Sequence, residues 1–116
     1  MITLNFPFRC ISKDNEKIFN SRGRPFLSRK YKDFALAVQR SAQRQYGGLP
    51  LAGRLRADFT FIFTSKVHSD LTNCPKGVCD SLNGLIWNDD RQIKACQMLV
   101  IENAEEDSFI VSVQEL

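Results

Sequence analysis

The sequence predicts an α+β domain, in which one mixed β-sheet carries two main helices in the order β-α-β-α-β-β. Three observations lead there. Apolar and polar residues alternate at 55–63 and from Ile2 to Phe8, the period of half-buried strands. An apolar stripe spaced i, i+3, i+4, i+7 runs from Tyr31 to Tyr46, the period of a helix with one buried face. Short polar turns then separate further apolar runs toward the C-terminus. A chain of 116 residues can build one core but not two, so a single domain over 1–116 is expected.

The first strand carries Ile2, Leu4, Phe6 and Phe8 on one face, and Pro7 puts its end at an edge or outside the ladder. Residues 9–27 are polar and basic, broken by Asn15, Asn20, Gly23 and Pro25, and are expected as a long loop. Ser28 is placed to cap a helix that runs to about Tyr46. Its stripe of Tyr31, Phe34, Ala35, Val38, Ala42 and Tyr46 faces the core, while Lys32, Gln39, Arg40, Gln43 and Arg44 face water. Gly47-Gly48 ends this helix and Pro50 prevents its return. The second strand, Leu55–Phe63, shows the clearest alternation. A polar loop follows at 65–72. Thr72 or Asn73 then caps a short helix, with Pro75 in its first turn, where a missing N–H costs nothing. Asn83-Gly84 stops it after Leu82, and Asn88-Asp89-Asp90 forms a turn. Ile93–Glu102 and Phe109–Val113 are strands joined by a turn at 103–107, and the pair is expected as a hairpin.

Net charge is only +3, but it is unevenly spread. Residues 1–56 hold 12 Lys/Arg and 3 acids, whereas residues 57–116 hold 4 Lys/Arg and 10 acids. A basic half beside an acidic half suggests a surface for a polyanion next to an acidic site. The plainer reading is a solvated basic face on the first helix. No apolar run approaches the ~18 residues of a membrane-spanning helix, so no membrane partner is expected. The start lacks a basic segment and a small-residue cleavage site, so no signal peptide is expected. Cys10, Cys74, Cys79 and Cys96 are then expected as reduced thiols, with Cys79 and Cys96 as small core residues. Their spacing, with His68 as the one histidine, does not make a zinc site.

The chemistry concentrates between Asp70 and Gln92. Asp70, Asp80, Asp89 and Asp90 interrupt an otherwise apolar segment. Hard divalent ions take one or two carboxylates and complete their shell with water and phosphate. Two such acids brought together by a helix and a turn would suit Mg²⁺ at a phosphodiester, and Lys76 could steady the charge on that phosphate. The competing readings are structural. Asp80 follows Lys76 by four and would form a helix ion pair, Asp89 and Asp90 would build a turn, and Asp70 would open a helix.

The segment resembles the RusA family of Holliday junction resolvases. That family's signature runs D-x-D-N-x-x-K-x-x-x-D-x-L-N-G, then an aromatic residue, then D-D-x-Q-[IV]. Asp70, Asn73, Lys76, Asp80, Leu82, Asn83, Gly84, Trp87, Asp89, Asp90, Gln92 and Ile93 all fall in register. Outside 70–93 the resemblance rests on length, element order and the run G-R-P-x-x-S-x-x-Y from Gly23 to Tyr31. It implies a metal-dependent endodeoxyribonuclease that binds four-way DNA junctions as a homodimer and nicks two strands symmetrically, using Mg²⁺ or Mn²⁺. A cytoplasmic, nucleoid-associated location is expected with it. By position, Asp70 and Asp90 are metal ligands, Lys76 is the catalytic lysine, Asp89 supports the metal, and Asn73 and Asp80 orient the ligands.

One position departs from the pattern. The middle acid of D-x-D-N is Thr72 here. In an extended segment Asp70 and Thr72 would lie on one side, so Thr72 would meet the metal with a hydroxyl and no charge. Either Asp80 or Asp89 compensates, or the metal binds more weakly, or the protein binds junctions without cutting them. The DNA surface is expected from Arg22, Arg24, Arg29, Lys30 and Lys32, with Arg40 and Arg44 on the helix and Lys66 and His68 beside Asp70. His68 as a plain exposed loop residue is the competing reading, as is Phe26 stapled onto the first helix instead of wedged between bases. A third class is a protein-interaction domain that uses the acidic residues Glu102, Glu105, Glu106 and Asp107.

Overall fold

Strand β1 (Ile2–Phe6) forms as its alternation requires, with Leu4 and Phe6 buried, and it stops before Pro7. The computed structural model describes residues 1–12, 17–19, 22, 23 and 25–116, with 17–19 and 25 described by backbone alone. Within the stretch expected as a loop, β2 (Lys17–Phe19) and β3 (Pro25–Leu27) pair antiparallel as a small separate ribbon. The expectation of a structureless 9–27 is corrected there. A ribbon of three residues per strand offers too little alternation to be read from sequence.

Helix α1 (Arg29–Gln45) starts where Ser28 caps it, its hydroxyl accepting from Tyr31 N at 3.1 Å. Tyr31, Phe34, Val38 and Ala42 are buried, so the stripe faces the core. Strand β4 (Leu55–Ile62) alternates buried and half-buried throughout. A single 3-10 turn at Leu71–Asn73 leads into α2 (Cys74–Leu82). A second 3-10 turn, Asp90–Gln92, leads into β5 (Ile93–Ile101), and β6 (Ser108–Glu115) closes the chain.

The sheet order is β1-β6-β4-β5. β5 runs parallel to β4, as a crossover through α2 requires, and β6 is antiparallel to both β4 and β1. The expected hairpin of the last two strands is therefore wrong. The connection after β5 crosses the end of β4 instead of folding straight back. Phe63 N donates to Ile101 O at 2.9 Å, Ala104 N to Phe63 O at 3.0 Å, and Thr64 N to the Asp107 carboxylate at 2.8 Å. Asn103 takes a left-handed φ of 57° to make that crossing.

Both helices lie on one face of the sheet. Phe6 and Phe109 stack at 4.5 Å at the end of the β1–β6 ladder, with Phe34 of α1 against Phe109 at 5.9 Å. α1 and α2 meet closely at Gly77, where an added Cβ would stand 2.6 Å from the Tyr31 hydroxyl oxygen. Cys79 is half-buried, but Cys96 is exposed, which corrects its assignment to the core. Its strand lies at the sheet edge, where α2 does not fully cover it. Among the described residues no helix is long and apolar enough to cross a membrane.

Candidate metal and nucleic-acid site

Asn83 and Gln92 hold the acidic centre together. α2 ends at Asn83, and Gly84 turns the chain with a φ of 82°. The Asn83 side-chain oxygen accepts from the indole N–H of Trp87 at 2.6 Å, and Trp87 is wholly buried. Asp89 then caps the 3-10 turn by accepting from Arg91 N at 2.9 Å. Gln92 completes the capping box, its Oε1 accepting from Asn88 N at 2.8 Å and from Asp89 N at 2.9 Å. Its Nε2 donates to Leu51 O and Gly53 O, both at 2.9 Å, which ties the turn to the segment before β4.

Asp90 is thereby fixed at the mouth of β5. It shares a cleft of about 330 Å³ with Lys76, floored by Phe59, Cys79 and Met98. Burial raises the pKa of its carboxyl above the ordinary value, and the negative charges of Asp89 and Asp80 push it further. The Asn83 side chain hydrogen-bonds Asp90 and opposes that rise. The Cys79 thiol is pushed up to about 12, mainly by burial, and also by the charges of Asp90 and Asp80. Lys76, Asp80 and Asn83 fall at i, i+4 and i+7 along one face of α2. The structure thus brings Lys76, Asp80, Asn83, Asp89 and Asp90 together.

Asp70 stands at the other end of α2. Its carbonyl accepts from Asn73 N at 2.9 Å and Cys74 N at 3.2 Å, and its exposed carboxylate makes no capping bond. The same hydrogen bonds wind 71–73 into a 3-10 turn, so the segment is not extended. At three residues per turn, side chains two apart point in different directions. The expectation that Asp70 and Thr72 share one side is corrected, and Thr72 is exposed on the turn. Asn73 is half-buried and makes no side-chain capping bond to α2. This turn packs against β5, the strand that Asp90 introduces. Among the described residues, no three His, Cys, Asp or Glu side chains are grouped so as to hold a metal ion by themselves.

Two of the basic residues, Arg9 and Lys30, line a second cleft of about 290 Å³ together with His68 and Ser69. Sequence reasoning missed Arg9, although a cation directly after the apolar run Phe6-Pro7-Phe8 was a visible signal. Its guanidinium donates to Val67 O at 2.6 Å, pairs with Asp107 at 3.4 Å and lies over the Phe63 ring at 5.0 Å. His68 is not a plain loop residue. Its ring stacks on Phe63 at 4.4 Å and 4°, and its Nε2 meets the Glu102 carboxylate. The carbonyl of Ser69 and then Glu102 raise its pKa. Arg22, Arg29, Lys32 and Lys66 are exposed, with Arg29 in a loose pair with Asp33 at 3.9 Å. Arg24 lies outside the described residues. Phe26 is exposed, which disfavours a buried staple.

The family model of endodeoxyribonuclease RusA matches residues 7–113. The chain belongs to the RusA family. No curated protein sequence matches it. The RusA match takes in α1, β4, α2 and β5 entire, so both clefts lie inside it. Several RusA signature positions now have a physical task in this chain. Asn83, Trp87 and Gln92 make the hydrogen bonds that hold Asp89 and Asp90 in place, while Asp70 and Lys76 flank the start of α2.

Proposed function

We propose that this RusA-family chain is a Holliday junction resolvase, a homodimer that makes paired nicks in four-way DNA junctions with Mg²⁺ or Mn²⁺. The observation that carries the reading is the Asp90 carboxyl, raised by burial and by Asp89 and Asp80, across one cleft from Lys76. Crowded carboxylates favour a cation, and an all-oxygen donor set suits a hard one. Asp90 with Asp89 would supply carboxylate oxygens to the ion, and water and a DNA phosphate would complete its shell. Asp70 would act from the start of α2, since no three acids of the described residues are grouped closely enough to hold the ion alone. An ion held there would supply Lewis acidity, lowering the pKa of a bound water and offsetting phosphate charge.

The chain's own groups do the remainder. Asn83 holds Asp90 in place. The Lys76 ammonium faces the scissile phosphate and stabilises its growing negative charge. Asp80 adds to the negative field that draws the cation in. Asn73 orients the Asp70 segment. The exposed cations Arg22, Arg29, Lys30, Lys32 and Lys66 hold the DNA backbone by charge, reading shape and not sequence.

A second reading, a junction-binding protein that does not cut, is favoured by Thr72, which removes one negative charge from the Asp70 turn. One experiment separates the two. A labelled four-way junction and a linear duplex are incubated with Mg²⁺, Mn²⁺ or EDTA, and the same DNAs are run in a gel shift. Paired, metal-dependent nicks in the junction alone are expected. Tight junction binding without nicks would establish the second reading, and neither binding nor cutting would reject both.

A further inference from the structure

The second cleft contains a group that the nuclease reading leaves unused. Ser12 is 2% exposed and lines the cleft with Arg9 and Lys30. Its hydroxyl is the buried side-chain polar atom that has no hydrogen-bond partner among the described residues. A native fold rarely keeps such a hydroxyl sealed without a reason, because burying it unpaired is unfavourable. The groups around it favour an anion. Arg9 is locked in place by Val67 O, Asp107 and the Phe63 ring, with two of its five N–H donors used by Val67 and Asp107. α1 begins here, with Lys30 as its second residue and no acid in its first turn. Its positive end is a suitable place for a phosphate oxygen.

We infer that the Arg9–Ser12–Lys30 cleft is a binding subsite for a backbone phosphate of the DNA, on the Asp70 side of α2, whose oxygen completes the hydrogen bonding of Ser12. The inference rests on the nuclease reading for its ligand but not for its geometry. His68 and Ser69 are cleft walls and lead directly to Asp70, so the cleft adjoins the Asp70 end of α2. Asp107 and Glu102 offset Arg9 and His68. The subsite therefore works through aimed donors more than through net charge.

Two variants test it, Ser12→Ala and the surface change Lys30→Gln. Inorganic phosphate is titrated into each protein while the amide signals of residues 9–12 and 30 are followed by NMR. Junction affinity is measured in parallel across a range of salt. The wild-type signals should shift saturably with phosphate, and Ser12→Ala should abolish that shift. Ser12→Ala should weaken junction binding roughly 10- to 150-fold with an unchanged salt slope, because it removes a hydrogen bond to a charged group and no charge. Lys30→Gln should lower the slope by about 0.9, one phosphate contact. Ser12→Ala should melt at or above the wild-type temperature, since it deletes an unpaired buried hydroxyl. A lower melting temperature would mean that the hydroxyl has an internal partner, and the subsite would be rejected. Unchanged junction binding by both variants would also reject it while leaving the nuclease reading intact. Phosphate binding in the cleft without junction binding would keep the subsite and sink the nuclease reading.

Discussion

Asp90 is the residue on which the chemistry turns, and its environment makes a signed prediction. Its raised carboxyl pKa means that the folded state holds the proton more tightly than the unfolded chain does. Stability from this group is therefore lost as pH rises from the free value of 3.8 through the raised native value. Asp90→Asn should raise the melting temperature at pH 7 without metal. Mg²⁺ should stabilise the wild type, and that increment should vanish in Asp90→Asn along with cleavage, while junction binding persists. A melting curve with and without Mg²⁺ decides it, and an equal increment in both proteins would remove Asp90 from the metal site. At the other end of α2, Asp70→Asn should stop cutting and spare binding. Thr72→Asp should lower the Mg²⁺ needed for cleavage. The 3-10 turn makes this second result informative, because Thr72 does not simply sit beside Asp70. No gain would show that position 72 faces away from the ion. His68 makes the opposite kind of contribution. A raised histidine pKa gives stability that is complete below about 6.5 and is lost as pH rises through the native value. Glu102→Gln should flatten that dependence between pH 6 and 8 in a urea titration.

Among the elements, α2 is where packing and site depend on one another. Gly77 lets Tyr31 of α1 approach, and Tyr31 is too buried to retreat. Gly77→Ala should cost about 1–3 kcal/mol, as overpacking does, and should shift Lys76 with the helix. Cleavage should fall more than junction binding. An unfolding midpoint equal to wild type would show that the helices part without strain. The same elements show what could be read in advance. The α1 stripe and the β4 alternation were legible because period alone assigns a face. The stop at Asn83-Gly84 and the turn at Asn88-Asp89-Asp90 were legible, since local capping and turn chemistry are written in adjacent residues. The pairing of β5 was not. A short polar connection suits a hairpin and a hop across one strand equally well, and only the hydrogen bonds of Phe63 and Ala104 tell them apart. The partners of Arg9 and His68 were hidden for the same reason, as Asp107 and Glu102 lie 98 and 34 residues away.

At the scale of the whole molecule, the described residues leave the sheet one covered face and one open face. Arg56, Asp58, Thr60 and Ile62 of β4 point to the open side, and their neighbours across β5 include Gln97, Leu99 and Ile101. Leu99 is 54% exposed and Ile101 41%, next to the half-buried Ile62 and Ile110. β5 itself pairs only with β4 among the described residues, which leaves nine residues of strand edge unpaired. Long apolar edges of this kind are usually blunted or covered. The proposed homodimer supplies a cover, and the charges suit a two-fold copy. Arg56 and Asp58 bond at 3.1 Å on the same strand, so a partner rotated by half a turn would set its anion against the first protomer's cation. Leu99→Lys should then convert a dimer to a monomer in light scattering, with little change in fold because the side chain already faces water. Nicks in a four-way junction should continue but lose their pairing, since each monomer would cut alone. A Leu99→Lys protein that remains dimeric and still cuts in pairs would move the interface away from the open face.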